Sequence, residues 1–449
     1  MTDELVHRYA RPVPRYTSYP TAPHFHTGVG NDQYRQWLAA LPEDATLSLY
    51  LHIPFCDRLC WFCACHTKQI LRYSPVSRYL PALHAEIDGV ARLLGGRGRV
   101  VAIHLGGGSP SLLAPADLLA LNALLRDRFA TGDAVEFSIE IDPNDMDDSR
   151  CDALAAIGIT RVSLGVQDFN PRVQAAINRL QSYEQTKSVV DAMRRRGVGS
   201  VNLDVLYGLP YQTVHSVEAT VHQALALQPD RLAVFGYAHV PWMKTHQRMI
   251  DEAALPDIGE RFEQAQAAAA RIRAAGYAAI GFDHFARPED SLAVAARQGR
   301  LHRNFQGYTA DSAAALIGFG ASAIGRLPQG YVQNTVATGL YQRQVEATGT
   351  AIARGVAFTD DDLVRSYAIE RLLCDFSLSR ADLEERFGES ARPLFAEVAE
   401  IAAGDTDGLT EFDGDRLTVT SRGRPFVRSI AASFDAYLLE NGARYSIAV

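Results

Sequence analysis

LSLYLHIPFCDRLCWFCACH, residues 47–66, carries two signals in one stretch. Its first half alternates: Leu47, Leu49, Leu51 and Ile53 share one face of an extended chain, and Ser48, Tyr50 and His52 share the other. Its second half sets Cys56, Cys60 and Cys63 at C-x3-C-x2-C, with Cys65 two residues further on. A half-polar strand running straight into a cysteine loop predicts a sheet with a site at its carboxyl edge.

Outward from this stretch the same theme recurs. Short runs of β-branched and aliphatic residues at 47–53, 100–105, 135–141, 160–166, 200–206 and 231–238 alternate with helical periodicity near 77–94, 115–130, 149–157, 182–196 and 213–228. This is the spacing of right-handed βα units, and it predicts an α/β fold with a partial (β/α)6 TIM-like barrel. Several of the strands keep a polar face. Glu136, Ser138 and Glu140 oppose Val135, Phe137 and Ile139; Ser163, Gly165 and Gln167 oppose Val162, Leu164 and Val166; Asn202 and Asp204 oppose Val201, Leu203 and Val205. A closed barrel of this size plugs its lumen with branched apolar side chains, so a polar inner face predicts a ligand cavity, the alternative being a sheet with one solvated face.

Before residue 46 lies an N-terminal segment, expected to cover the site. The barrel is expected over 46–245. The segment 246–358, with an Ala-rich helix at 259–276 and then Gly, His, Asn and Gln, reads as barrel extension and substrate cover. From Thr359, which with Asp362 makes a variant capping box, a small, mostly helical, winged-helix-like domain runs over 359–449.

Lys and Arg total 44 against 52 Asp and Glu, so no global attraction to nucleic acid or anionic lipid is expected. The chain starts without an apolar leader, and the Ala-rich helix is broken by Arg271 and Arg273, so neither secretion nor a membrane span is expected. Four of six cysteines crowd into residues 56–65, a poor framework for disulfides and a good one for metal in a reducing cytoplasm. Three thiolates on one loop can bind three irons of a cubane and leave the fourth iron open. A tetrahedral zinc site that adds Cys65 and His66 is the alternative. Cys151 and Cys374 stand alone and read as small buried hydrophobes. Gly106, Gly107 and Gly108, before Ser109 and Pro110, serve equally as a sharp strand-to-helix turn or as a place where backbone approaches a ligand.

The three-cysteine loop after the first strand and the glycine turn after the second resemble the radical S-adenosylmethionine superfamily. Within it, PRYTSYPT at 14–21, YLHIPFC at 50–56, the trailing Cys65, GVQDFN at 165–170, NLDVLYGLP at 202–210, DHFARP at 283–288 and HRNFQGYT at 302–309 resemble the oxygen-independent coproporphyrinogen III oxidase (dehydrogenase) family over nearly the whole chain. The related radical SAM-like haem chaperone, which binds haem without this turnover, is the competing reading. It typically lacks the extra cysteine and the N-terminal segment.

The resemblance implies a [4Fe-4S] cluster on Cys56, Cys60 and Cys63, with Cys65 not a ligand, and two S-adenosylmethionine molecules. It implies that Tyr50, Gly107, Glu140 and Arg179 hold the first of these molecules. Phe62, Gly108, Ser109, Gln167, Asp204, Ala238 and Ile324 would line the remaining cofactor space, and His52, Phe305 and Gln306 would lie close to the chemistry. Ser109 replaces the usual threonine and Trp61 the usual tyrosine. The implied reaction is oxygen-independent decarboxylation of two propionates of coproporphyrinogen III to vinyl groups, giving protoporphyrinogen IX, started by a 5′-deoxyadenosyl radical. An electron donor and an acceptor are required, and a cytoplasmic monomer is expected. Arg15, Arg300 and Arg303 are candidates for the propionates.

Overall fold

The computed structural model describes residues 3–438 and 445–447. Six of its strands are those expected: β1 (Thr46–Ile53), then, after a two-residue parallel bridge of β2 (Phe55–Cys56) with β3 (Lys68–Gln69), β4 (Arg99–Gly107), β5 (Thr131–Ile141), β6 (Arg161–Gln167), β7 (Ser200–Tyr207) and β8 (Arg231–Gly236). They pair in parallel in the order β1-β4-β5-β6-β7-β8. The crossovers include helices Ser74–Leu94, Pro115–Arg128, Asp148–Ala156, Tyr183–Arg195 and Val214–Ala226, close to the expected positions. The sheet stays open, as a partial barrel must.

The segment beyond 240 extends this sheet at both edges. On one side β8 takes β10 (His284–Ala286) and then β9 (Ala278–Ile280), both antiparallel. A separate hairpin follows, β11 (His302–Asn304) with β12 (Gly307–Thr309). On the other side β13 (Ala315–Phe319) lies parallel to β1, and β14 (Ile324–Leu327), β15 (Gly330–Asn334) and β16 (Ile352–Ala357) follow antiparallel. The result is one sheet of twelve strands.

Alternation decides which face packs. Leu47, Leu49, Leu51 and Ile53, with Ile103, Leu105, Phe137, Ile139, Val162, Leu164, Val201 and Leu203, are buried in one apolar core between sheet and helices. The register sets the polar residues in rows across the opposite face: Tyr50 beside His104, His104 beside Ser138, Glu140 beside Ser163, and Ser163 beside Asn202. Ser48, His52, His104, Ser138 and Asn202 are all buried, so this face lines an interior and is not a solvated surface.

The C-terminal domain has a core of its own. Helix Asp360–Asp375 starts at the Thr359 capping box, in which the Asp362 N–H donates to Thr359 Oγ1 (3.1 Å) and the Thr359 N–H to Asp362 Oδ2 (2.9 Å). Helices Arg380–Phe387 and Arg392–Gly404 pack around a three-stranded sheet, β17 (Ser377–Ser379), β18 (Thr410–Phe412) and β19 (Arg416–Val419), and the terminal helix is the short Val427–Ala431. Leu5, Val6, Val13, Tyr16 and Tyr19 from the N-terminal segment are buried in this core.

Candidate active site

β1 delivers Tyr50 and His52 to the polar face and runs into the cysteine loop, which the β2–β3 bridge pins at both ends. All six cysteines are free thiols. Cys56 Sγ lies 3.0 Å from Thr67 Oγ1, and the buried Cys60 Sγ lies 3.6 Å from Arg179 Nη1. Cys63 Sγ accepts the Cys65 N–H at 3.4 Å. Burial pushes the Cys56 thiol up to about 12. Burial also raises Cys60, although Arg179 opposes it, so the chain alone supplies too little positive charge to ionise these two sulfurs. Bound iron would supply that charge, and three soft donors on one loop suit a cubane that takes one thiolate per iron. Among the described residues no three His, Cys, Asp or Glu side chains converge closely enough to hold a single ion. The exposed Cys65 offers its carbonyl to Lys244 Nζ at 3.0 Å.

The glycine turn packs against this loop. Gly107 has φ +112°, and a Cβ there would stand 2.6 Å from the His52 ring; at Gly108 it would stand 2.6 Å from the Phe55 carbonyl oxygen. The Gly108 and Ser109 N–H groups donate to the carbonyls of Ile53 (2.9 Å) and Phe55 (2.8 Å). Both glycines are therefore required by close approach of protein to protein, which favours the turn reading. The Gly107 N–H donates to Glu140 Oε2 at 3.0 Å, and His104 Nε2 lies 3.5 Å from Glu140 Oε1. Burial works against the Glu140 charge, yet His104 and the Gly107 amide outweigh it and hold the carboxyl below its usual range. Tyr50 stacks on His104 at 5.9 Å, and its hydroxyl lies 2.9 Å from His52 Nδ1. His52 Nε2 lies 2.9 Å from the His66 carbonyl, and burial lowers the pKa of this histidine. Ser109 turns its hydroxyl to Asp145 and to Ser111, 3.0 Å away, and is buried.

Opposite stand Arg179, Gln167 and Asp204. The buried Arg179 reaches Asp142 Oδ2 at 3.0 Å, the Gly165 carbonyl at 2.8 Å and Gln181 Oε1 at 3.1 Å. Although burial opposes its charge, Asp142 and Cys60 raise its pKa further. Gln167 has φ +65° at a register shift between β6 and β7, a bulge that re-aims the side chain at the strand end. Asp204 accepts from Asn202 Nδ2 (2.8 Å) and Ser163 Oγ (3.1 Å), and burial, with the Glu140 charge, pushes its pKa up.

The remaining expected residues fall into two groups. Phe62 packs with Val173, Ile177 and Tyr237, and the buried Gln247 ties it to Ala238 by donating to both carbonyls, at 2.9 and 3.1 Å. Ile324 and Phe305 pack with Phe25, Tyr331 and Val356. Phe305 stands edge-on to Tyr331 at 5.8 Å in the wall of a cavity of about 430 Å³ that Tyr16, Tyr19, Ser48 and Arg326 also line. Gln306 is exposed at the tip of the β11–β12 hairpin. The cysteine loop does not line that cavity, although Ser48 and His52 share one face of β1. Of the arginine candidates, Arg303 lies over the rings of Phe282 (4.8 Å) and Tyr308 (4.6 Å), Arg300 is exposed, and Arg15 donates to the Gly236 carbonyl at 2.5 Å.

Sequence reasoning missed His104, Asp142, His246 and Gln247. His104 follows from the alternation of β4, since it shares a face with Ala102 and Gly106. His246, whose Nε2 lies 2.7 Å from the Cys63 carbonyl, and Gln247 sit in a five-residue 3-10 helix, Thr245–Met249, too short to carry a pattern that marks them.

Comparison with known proteins bears on the fold and the family. Residues 50–224 match the Radical SAM superfamily model, and residues 358–426 match that of the HemN C-terminal domain. An oxygen-independent coproporphyrinogen III oxidase of Bradyrhizobium diazoefficiens is 48% identical over 426 residues, 95% of either chain. That of Escherichia coli is 42% identical over 435 residues, 97% of this chain and 95% of its own. The solved structure of the Escherichia coli coproporphyrinogen III oxidase, described as a radical SAM enzyme, superposes with a TM-score of 0.91 at 40% identity, covering 95% of this chain and 100% of that one.

Proposed function

The chain belongs to the oxygen-independent coproporphyrinogen III oxidase family of radical SAM enzymes, and we propose that it converts two propionates of coproporphyrinogen III to vinyl groups without oxygen, giving protoporphyrinogen IX. The observation that carries this reading is the set of three free thiols on one loop, at the mouth of a polar interior whose wall holds Glu140, Arg179 and Asp204.

As a radical SAM enzyme it works with a [4Fe-4S] cluster and S-adenosylmethionine. When bound, these supply a one-electron cleavage that yields a 5′-deoxyadenosyl radical able to take hydrogen from a propionate carbon. The protein's own part is binding and shielding. Cys56, Cys60 and Cys63 would hold the cluster through their thiolates. Glu140, held anionic by His104 and the Gly107 amide, suits an ammonium group, and the firmly protonated Arg179 suits a carboxylate. Tyr50 and His52 hold the near wall, and burial keeps the imidazole neutral. Phe62, Gly108, Ser109, Gln167, Asp204, Ala238 and Ile324 line the remaining space for a second S-adenosylmethionine. Phe305 and Gln306 approach from the hairpin. No classical general base is required, and exclusion of water and oxygen is the larger task.

Residues 1–45 and 246–358 serve as cover over the site, a reading supported by Tyr16, Tyr19, Arg303 and Phe305 lining one cavity with Ser48, which shares the polar face of β1 with Tyr50 and His52. Among the described residues no helix is long and apolar enough to cross a membrane. An air-sensitive centre suits a cytoplasmic monomer fed by a separate electron donor and drained by an acceptor.

The test is anaerobic turnover of the reconstituted protein with dithionite, S-adenosylmethionine, coproporphyrinogen III and an added one-electron acceptor. Deoxyadenosine, carbon dioxide and protoporphyrinogen IX are expected. Tight haem binding with none of these products would favour the chaperone reading, and colourless protein holding one zinc would refute the cluster.

A further inference from the structure

The cavity of about 430 Å³ has a floor made by one row of the sheet. Ser48 on β1 stands opposite Leu316 on β13, Leu316 opposite Arg326 on β14, and Arg326 opposite Tyr331 on β15, and all four line the cavity. Alternation places this row on the polar interior face: Leu327, the residue after Arg326, is buried in the apolar core, whereas Arg326 itself is exposed. Tyr50 and Ile324 lie two residues from Ser48 and Arg326 on the same strands, about 7 Å along at the usual rise per residue. The floor therefore continues the wall that carries Tyr50.

The acids of this cavity are held by the protein, and two of its cations are not. Asp311 accepts from the Ser48 hydroxyl and from the Ala313 N–H (2.9 Å). Glu370 accepts from the Arg303 N–H (3.1 Å), with His302 Nδ1 at 3.3 Å and an Arg371 guanidinium nitrogen at 3.4 Å. The Arg303 side chain is turned to Asp283, at 3.7 Å. Arg326 and Arg386 remain; both are exposed, and among the described residues neither is in a salt bridge. Arg386 enters from the last turn of helix Arg380–Phe387, over the Tyr367 ring at 5.0 Å, and the helix terminus alone accounts for a cation there. Arg326 has no such local reason, because it stands in mid-strand among Ser48, Leu316 and Tyr331.

We propose that Arg326 binds the carboxylate of a substrate propionate that the reaction leaves in place, with Arg386 as a second contact for the same kind of group. The inference rests on the function proposed above and names where that substrate is held. A guanidinium fork matches a carboxylate. The same fork stabilises the anion, whereas a carboxyl group that departs as neutral carbon dioxide must give up its charge, so the propionate gripped here is a retained one. Tyr331, Phe305 and Tyr367 in the walls suit the faces of pyrrole rings.

Cluster-loaded protein is titrated anaerobically with coproporphyrin III, which has four propionates, and with protoporphyrin IX, which has two, and porphyrin fluorescence reads the affinity. KM for coproporphyrinogen III is measured alongside. Arg326→Gln is expected to weaken both porphyrins about tenfold or more and to raise KM, and Arg326→Lys to recover part of the loss. The position is exposed, so both variants are expected to fold, which iron and sulfide content checks. A loss confined to coproporphyrin III overturns the assignment to a retained propionate. Affinities and KM within about threefold of wild type overturn the anchor and leave the proposed reaction standing. Wild type that turns over no coproporphyrinogen III refutes the reaction, and the porphyrin titration then still decides whether Arg326 binds carboxylates.

Discussion

Arg179 joins four partners from different parts of the chain: Asp142 after β5, the Gly165 carbonyl on β6, Gln181, and Cys60 on the metal loop. Both members of the Arg179–Asp142 pair are nearly buried, with 9% and 11% of their side chains exposed. Truncating one partner of such a pair leaves the other charge buried and uncompensated, at a cost of about 3–5 kcal/mol. Arg179→Gln is therefore expected to lower urea-unfolding stability by that order and to loosen Cys60. Stability within about 1 kcal/mol of wild type would contradict the role assigned to the pair. The cysteines separate more sharply. Cys56→Ala, Cys60→Ala and Cys63→Ala are each expected to abolish bound iron and activity, whereas Cys65→Ala is expected to retain the cluster. Iron and sulfide analysis decides this, and iron loss in Cys65→Ala would mean that the fourth iron is not open. Spacing made the cysteine loop legible because all its members lie within ten residues. Asp142 was not legible, because its pairing with Arg179 depends on how β5 and β6 lie side by side.

At the scale of elements, alternation exposed the polar inner face before any strand pairing was known, and the pairing then set Tyr50, His104 and Ser138 in one row. The strands beyond 240 that extend the large sheet escaped that reading because they are three to six residues long, too short to show a period, and several join it through distant partners. How β13 is held beside β1 depends on helix Ser74–Leu94. Its Tyr79 hydroxyl donates to the His52 carbonyl and accepts the Ala321 N–H, each at 2.9 Å. About two turns further along, the buried Glu86 accepts from the Gly320 N–H (2.7 Å), Asn334 Nδ2 (2.6 Å) and the Tyr341 hydroxyl (2.6 Å). Burial outweighs these donors and pushes the Glu86 carboxyl up to about 7. The folded protein then binds a proton at Glu86 that the unfolded chain releases. The group's contribution to stability is complete below its ordinary pKa and is lost as pH rises through 7. Relative to Glu86→Gln, wild type is expected to gain about 3 kcal/mol as pH falls from about 8 to about 5, read from urea unfolding across that range. Parallel profiles for the two proteins would show that Glu86 titrates normally.

At the scale of the whole molecule, the chain closes on itself. Leu5, Val6, Val13, Tyr16 and Tyr19 are buried with Leu372, Phe426, Val427 and Phe434 of the C-terminal domain. Polar ties reinforce this: Arg8 holds Asp407 at 2.8 Å, Tyr16 donates to Asp435 at 2.9 Å, and Ser429 Oγ donates to the Tyr9 carbonyl at 2.8 Å. Composition could not reveal such a partnership across more than 390 residues, because each half alone reads as an ordinary amphipathic segment. The first residues therefore act as a missing part of the last domain's core, and the segment that follows them, Tyr16–Tyr19, lines the same cavity as Phe305. Deleting residues 1–11 removes Leu5 and Val6, each only 3% exposed, at about 1.5–3 kcal/mol apiece. That loss belongs to the C-terminal core alone, since the barrel core is a separate cluster built on β1 to β8 and their helices. Hydrogen exchange on the truncated protein should accordingly quicken in helices Asp360–Asp375 and Val427–Ala431 while β1, β4 and β6 keep their protection. Equal quickening in both regions would show that the two cores unfold as one unit, and no change in either would show that the N-terminal segment is merely laid on the surface.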